Sequence, residues 1–385
     1  FFSRYCDERL VLSRAEGYAD ALRAAVERRR PDVVLPVGFQ SVAALDQVRG
    51  ELPPDVTTVL PPPASLERAT DREKTLSVAR DLGIEVPTDY TERVDAADGP
   101  EGRRDDLDEL PFPLFLKARR ETGRALSARV ESPERFWTAY DALRSSGEEL
   151  IVQECVSGDG RTYGCGLLFL DGEPRLRFGH VELRSVPRRG GSGTRLRTTD
   201  DAELVSQSVE LLGALDWHGV ALVEYRREGD SFVLMEINPK FWASYALASQ
   251  SGHRFASTLV AEALGLPAPA GPPATTTPTE RVFPLREFAY CLRSYERESL
   301  LEAASAMLWP PARPALNPED AGAWLVPPSD LTRASRLVRA ALDAVGRGAG
   351  VDLPEAGPDS DGRDGQTAGD APRRDDRRRS RERDD

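Results

Sequence analysis

The stretches Val220–Tyr225 (VALVEY) and Leu234–Ser244 (LMEINPKFWAS) decide how this chain reads. Val220–Arg226 and Ser231–Asn238 are two apolar runs flanking Gly229-Asp230, the pattern of a β-hairpin. Side chains alternate across a strand. Val220, Leu222 and Glu224 therefore share one face, as do Phe232, Leu234, Glu236 and Asn238. A short loop centred on Asp230 sets Glu224 roughly opposite Glu236 on that face. Two carboxylates at the ends of apolar strands, with no base between them, repel each other, and a bound cation removes that cost. Mg2+ takes oxygen ligands, keeps some water and shares phosphate oxygens. Glu224, Glu236 and Asn238 match that demand and are the candidate metal ligands. On residue chemistry alone, two glutamates exposed on a sheet surface remain the alternative.

Outward from the hairpin, the chain alternates helical and extended patterns. Helices are expected over Tyr18–Arg29, Ser41–Val48, Ser65–Leu82, Glu131–Leu143, Asp200–Leu215, Phe241–Gln250 and Phe255–Leu264. Strands are expected over Asp32–Val37, Phe112–Ala118 and Leu150–Val156, with a β-meander from Tyr163 to Val186 turning at Asp171-Gly172. Pro53–Pro63 is a proline-rich connection, and Arg188–Thr194 (RRGGSGT) is a basic, glycine-rich loop. Val282–Leu308 has a mostly helical pattern.

Composition narrows the classes. A chain of 385 residues with 40% hydrophobic content supports two or three packed domains rather than a disordered chain. A net charge of −13 argues against a general nucleic-acid coat and suits a salt-rich cytoplasm. Of 51 basic residues only Lys74, Lys117 and Lys240 are lysine, which singles those three out, because an ammonium and a guanidinium are not interchangeable beside a phosphate. Cys6, Cys155, Cys165 and Cys291 form no CxxC pair, so buried thiols are expected rather than a disulfide framework or zinc site. No apolar run is long enough to span a membrane.

The hairpin and its Glu-x-Asn-Pro element resemble the metal-binding end of the ATP-grasp fold. The nearest resemblance is to the carbamoyl-phosphate-synthase-like branch, which includes carboxylate–amine ligases. It implies an α/β chain: a partial doubly wound α/β domain at 1–64, then a two-lobed ATP-grasp domain of α+β lobes at 65–266, hinged near 151–158. A linker at 267–280, a mostly helical region at 281–349 and a charged, disordered tail at 350–385 complete the expected plan.

The resemblance extends residue by residue. Asp71–Pro87 (DREKTLSVARDLGIEVP) resembles the helix that carries a basic phosphate contact, at Arg72 or at Lys74. Phe112–Ala118 (FPLFLKA) resembles the strand whose lysine, here Lys117, meets the α- and β-phosphates. Ile151–Gly158 (IVQECVSG) resembles the adenine-holding hinge, at Glu154 and Val156. Arg184 and Gly190–Thr194 resemble the substrate-side segment of the ligases, and Lys240 stands where an arginine usually follows Asn-Pro. Two departures stand out: Arg161 replaces a ribose-binding acid, and only Thr122-Gly123 remains of the glycine-rich phosphate loop.

What the resemblance implies is a cytoplasmic, ATP-dependent ligase with Mg2+ (Mn2+ as an alternative ion), small-molecule carboxylate and amine substrates, and a homodimer as the common assembly. A nucleotide-binding module without turnover, and an ATP-grasp carboxylase or kinase, are the alternatives.

Overall fold

Runs of alternating residues build a three-stranded antiparallel sheet and a seven-stranded, mainly antiparallel one, and helices with one apolar face cover them. The computed structural model describes residues 3–12, 17–99, 102–103, 106–121, 123, 126–186, 192–269, 278–283, 287 and 312–314.

The N-terminal segment runs α1 (Tyr18–Arg29), β1 (Val33–Val34), α2 (Phe39–Val48) and β2 (Thr57–Thr58). The two strands pair in parallel, Val33 beside Thr57, as in a doubly wound unit. Two expectations change here. The apolar run 32–37 yields only a two-residue strand, and the proline-rich connection contains the second strand.

The single helix expected over Ser65–Leu82 is two helices, α3 (Pro63–Thr70) and α4 (Arg72–Asp81). Asp71 breaks them apart. Its backbone is extended, and its carboxylate caps α4 by accepting from the Lys74 amide. The Asp71 side chain is fully buried and receives three guanidinium bonds from Arg119, at 3.1–3.2 Å, so the break is locked to a strand end far along the chain. This break sets Arg72 at the first turn of α4.

Next come α5 (Thr91–Ala97), β3 (Asp98–Gly99), β4 (Gly102–Arg103), a 3-10 turn at Asp106–Glu109, β5 (Leu114–Ala118), β6 (Ser127–Val130), α6 (Pro133–Arg144) and β7 (Leu150–Glu154). Strands β6, β5 and β7 form a small sheet in that order. One face, with Leu114, Leu116, Val130 and Val152, packs on Phe136 and Tyr140 of α6. The opposite face pairs Phe115 with Gln153 and Lys117 with Ile151.

The large sheet holds β8 (Thr162–Leu170), β9 (Glu173–Val186), β10 (Ser192–Thr199), β11 (Gly219–Glu228), β12 (Ser231–Asn238), β13 (Glu280–Val282) and β14 (Ala312–Pro314), in the order β12-β11-β8-β9-β10-β13-β14. The other helices are α7 (Ala202–Ala214), α8 (Tyr245–Gln250) and α9 (Phe255–Ala263). One face, with Val223, Tyr225 and Leu234, packs on Leu76 of α4, Leu211 of α7 and Leu45 of α2. The other face, with Leu168, Phe178, Val220 and Leu222, packs on Trp242, Leu247 and Phe255.

Further expectations are revised. Ser192–Thr194, read as loop, begins β10; residues 187–191 lie outside the described residues. The helix expected from Phe241 begins only at Tyr245, because Phe241 and Trp242 turn inward and are buried. Val282, read as a helix start, ends strand β13. The rest of the expected C-terminal helical region and the tail lie outside the described residues, apart from Phe283, Glu287 and β14. Of the thiols, Cys165 is buried, Cys155 half-buried and Cys6 exposed, and all three are free; Cys291 lies outside the described residues. Among the described residues no helix is long and apolar enough to cross a membrane.

Candidate nucleotide and metal site

Glu224 and Glu236 stand directly opposite one another in the β11–β12 hairpin, as the alternation predicts. The next pair is Tyr225 with Leu234, so Met235 is an extra residue. This bulge corrects the expected face assignment. Phe232 and Leu234 turn into the core with Val223 and Tyr225, whereas Glu236 and Asn238 stand opposite Glu224 and Leu222 on the other face. Bulges re-aim side chains at the ends of pairing, and here the bulge lets an apolar strand finish in two polar ligands.

Asn238 lies between the carboxylates. Its amide donates to Glu224 Oε2 at 3.0 Å and to Glu236 Oε1 at 3.2 Å. The amide hydrogens thus stand in for a cation; rotation about the terminal torsion would present the oxygen instead. Burial and the charge of Glu236 push the Glu224 carboxyl well above the usual range, and Glu182 adds to this. Burial would raise Glu236 too, but the Arg72 guanidinium and the Lys117 ammonium outweigh it and hold it below the usual range. One carboxyl that resists ionisation beside one that holds its charge is a pair short of positive charge. Among the described residues no three His, Cys, Asp or Glu side chains form a metal-holding group by themselves. Two carboxylates and an amide therefore fit an ion that completes its shell with water and phosphate oxygens, which is the habit of Mg2+.

The positive charges come from β5 of the small sheet and from the first turn of α4, which itself packs on the large sheet. Lys117 projects from β5 on the face opposite the small-sheet core, and its Nζ donates to the carbonyl of the bulged Met235 at 3.2 Å. Burial, reinforced by the charge of Arg72, pushes this lysine down to about 8. Arg72 donates to Glu236 Oε2 at 3.0 Å, to Glu121 Oε2 at 2.8 Å and to the Ala118 carbonyl at 2.8 Å. Of the two basic candidates on α4, Arg72 is in the cluster. Lys74 ion-pairs with Glu67 at 2.6 Å on an exposed face, apart from it.

At the hinge, Glu154 pairs with Leu114, so its side chain lies on the packed face of the small sheet, where it accepts from Thr88 Oγ1 at 2.8 Å. Val156 is buried. The side chain on the Lys117 face is Gln153, fully buried with an unpartnered amide nitrogen. Gly158, at φ +48, fixes where the hinge meets the large sheet: a Cβ there would lie 2.1 Å from the Arg227 carbonyl oxygen.

Past the hairpin, Lys240 donates its amide to Asn238 O at 2.9 Å, and its charge favours the ionised form of Glu224. Arg184 lies on β9, two residues beyond Glu182, and ion-pairs with the fully buried Glu287 at 2.5 Å. Of Gly190–Thr194, only Ser192–Thr194 are described. His180, on the same strand as Glu182, is fully buried with its Nε2 3.1 Å from Ser244 Oγ, and burial pushes it down to about 4, so the ring is neutral. The cluster thus unites Arg72, Lys117, Glu224, Glu236, Asn238 and Lys240, with Arg184 further along β9. Sequence reading missed Glu121, Gln153, Glu182 and Glu287. For Gln153 a signal existed, because it alternates with Ile151, the partner of Lys117; Glu121 and Glu287 carry no local motif.

This two-sheet arrangement, with an acidic hairpin closing on a strand-borne lysine, is the ATP-grasp fold. Among solved structures, the chain is similar to a biotin carboxylase–β,γ-ATP complex from Campylobacter jejuni, at TM-score 0.53 and 16% identity, over 66% of this chain and 59% of that one. It is similar to the biotin carboxylase domain of the 2-oxoglutarate carboxylase of Hydrogenobacter thermophilus, solved with MgADP and bicarbonate, at TM-score 0.54 and 12% identity, over 68% and 60%. It is also similar to the N5-carboxyaminoimidazole ribonucleotide synthetase of Thermus thermophilus, at TM-score 0.50 and 22% identity, over 69% of each chain. At these identities the likeness is one of fold, and the chain spans about 60% of the length of the two biotin carboxylase chains. By sequence, no family model and no curated protein matches.

Proposed function

We propose that this chain is an ATP-dependent ligase that activates a carboxylate as an acyl phosphate and passes the acyl group to an amine or similar nucleophile. The observation that carries this reading is the meeting of Glu224, Glu236 and Asn238 with Lys117 and Arg72 in one cluster. In the reaction, a substrate carboxylate oxygen attacks the γ-phosphorus of ATP and ADP leaves. The amine nitrogen then attacks the acyl carbon, phosphate leaves and the nitrogen loses a proton.

Glu224, Glu236 and Asn238 would hold Mg2+, which neutralises phosphate charge and orients the γ-phosphoryl group. Lys117, from β5, and Arg72, from the first turn of α4, neutralise phosphate oxygens. Gln153 offers its unpartnered amide to the base, and Lys240 and Arg184 lie on the side where the carboxylate enters. No side-chain nucleophile is needed, because positioning and charge supply the catalysis.

The test is ADP release from Mg-ATP against pools of carboxylates, with hydroxylamine present to trap an acyl phosphate as a hydroxamate. Carboxylate-dependent ADP and hydroxamate, both lost in Glu236→Ala, support the reading. ADP release with bicarbonate alone would instead indicate a carboxylase. Nucleotide binding without turnover against any acid would indicate a regulatory module.

A further inference from the structure

Arg72 is shared between two acids of different kinds. One Nη2 serves Glu236, on the metal hairpin, at 3.0 Å and Glu121, just past the end of β5, at 2.8 Å. Both carboxylates and the guanidinium are largely buried, so these bonds are weakly screened. Glu121 has a second attachment: its Oε1 accepts from the Gly123 amide at 2.8 Å, and its own amide donates to Thr70 O at 2.9 Å. It therefore ties the guanidinium to the short loop that follows the strand of Lys117. Glu121 is neither a candidate metal ligand nor a phosphate contact, and its negative charge in a phosphate-facing wall calls for a reason.

A cation that binds Glu236 must compete with Arg72 for that carboxylate. If Glu236 were the sole acid partner of Arg72, the guanidinium would bear on it with full force. The second acid draws the guanidinium off and holds it when Glu236 turns to a metal. We propose that Glu121 is a positioning residue of the nucleotide site: it keeps Arg72 partly detached from Glu236, so that a divalent cation can enter, and ties the Gly123 loop to the same guanidinium. This rests on the nucleotide reading given above.

The test is direct binding of Mn2+ to the full chain with ADP, followed through the electron paramagnetic resonance signal of free Mn2+, which needs no turnover. Wild type should bind. In Glu121→Gln the Mn2+ dissociation constant should rise about fivefold, the scale of one partly buried charge pair. Glu121→Asp, which keeps the charge, should recover most of it and serves also if the Gln variant folds poorly. In an Arg72→Met background the Glu121→Gln change should have no further effect. Unchanged Mn2+ binding in Glu121→Gln, or an equal loss in the Arg72→Met background, overturns the positioning role alone. Failure of wild type to bind Mn2+ with ADP overturns the nucleotide reading together with it.

Discussion

The hairpin β11–β12 and the strand β5 meet where Lys117 reaches the Met235 carbonyl, yet they hold their charged groups by opposite means. The hairpin gathers acids by cross-strand pairing, with Glu224 against Glu236 and Asn238 bonded to both. Strand β5 presents a single lysine, buried and anchored to a carbonyl of the facing hairpin. On each side burial resists the charge: Glu224 is pushed up and Lys117 is pushed down to about 8. Each wall is thus short of the opposite charge, and Arg72 on Glu236 makes up only part of the deficit. A ligand that carries both a divalent cation and phosphate oxygens satisfies both walls at once.

The strongest way to break this contrast is to remove the acid at its centre. Glu236 pairs with Glu224, bonds Asn238 and partners Arg72. Glu236→Ala should cut ADP formation by on the order of 10³-fold or more, measured with a coupled ADP assay. Normal turnover in that variant would sink the assignment of the hairpin.

On the opposite wall, Lys117→Met should weaken ADP binding about 30-fold, measured by calorimetry, the scale of one buried charge-assisted contact. The pH dependence sharpens this. Below pH 8 the Lys117 ammonium is present and, on the proposed function, would pair with phosphate; above it the group becomes neutral. Wild-type affinity should stay level below pH 8 and fall as the pH rises through it, and Lys117→Arg, always charged, should abolish that fall. Fold stability moves the other way. An unfolded lysine keeps its proton to 10.5, so between 8 and 10.5 the unfolded chain binds more protons and the fold gains stability as pH rises. A nucleotide affinity that is flat across pH 7 to 10 in wild type would remove Lys117 from the phosphates.

The two walls also differ in how legible they were. The hairpin could be read locally, because its turn, alternation and facing glutamates lie within twenty residues. The bulge at Met235 could not, since one extra residue leaves no mark on an apolar run but reverses every side chain before it. On the small sheet, Lys117 was singled out by the resemblance of FPLFLKA to a phosphate-binding strand and by the scarcity of lysine, whereas placing Gln153 rather than Glu154 on its face needs the antiparallel register of β5 and β7. The break at Asp71 had a local sign, an acidic cap before Arg-Glu, which continuing helical periodicity masked. What holds it is Arg119, 48 residues away. Arg72 meets Glu236 across 164 residues and shares itself with Glu121, and pairings of that range leave no signal in one sequence.

A smaller effect probes how the acidic wall is positioned. Gly166 lies in β8 opposite Leu222, and a Cβ there would meet Trp242 Cζ2 at 2.4 Å. Trp242 is buried four residues past Asn238, against Phe255. Gly166→Ala must displace that ring and should destabilise the fold by about 1–3 kcal/mol in urea unfolding. If the segment after Asn238 is set by this packing, Mn2+ binding should weaken in the same variant, while Lys117, on the other sheet, keeps its pH response.

The smallest change expected is at Lys240, where the resemblance expects arginine. The charge of this lysine favours the ionised Glu224 against burial and against Glu236. Lys240→Arg preserves that charge and adds a planar fork able to grip a phosphoryl or carboxylate group at two points. ADP formation should therefore change by less than about threefold, with any gain appearing in the KM of the carboxylate rather than in kcat. Lys240→Gln is the informative contrast. Without the charge, Glu224 is harder to ionise, so the half-saturating Mg2+ concentration should rise and rise more steeply as the pH falls. If Gln and Arg variants respond alike to Mg2+, Lys240 acts on the substrate alone and the acidic hairpin is balanced by Arg72 and Lys117 without it.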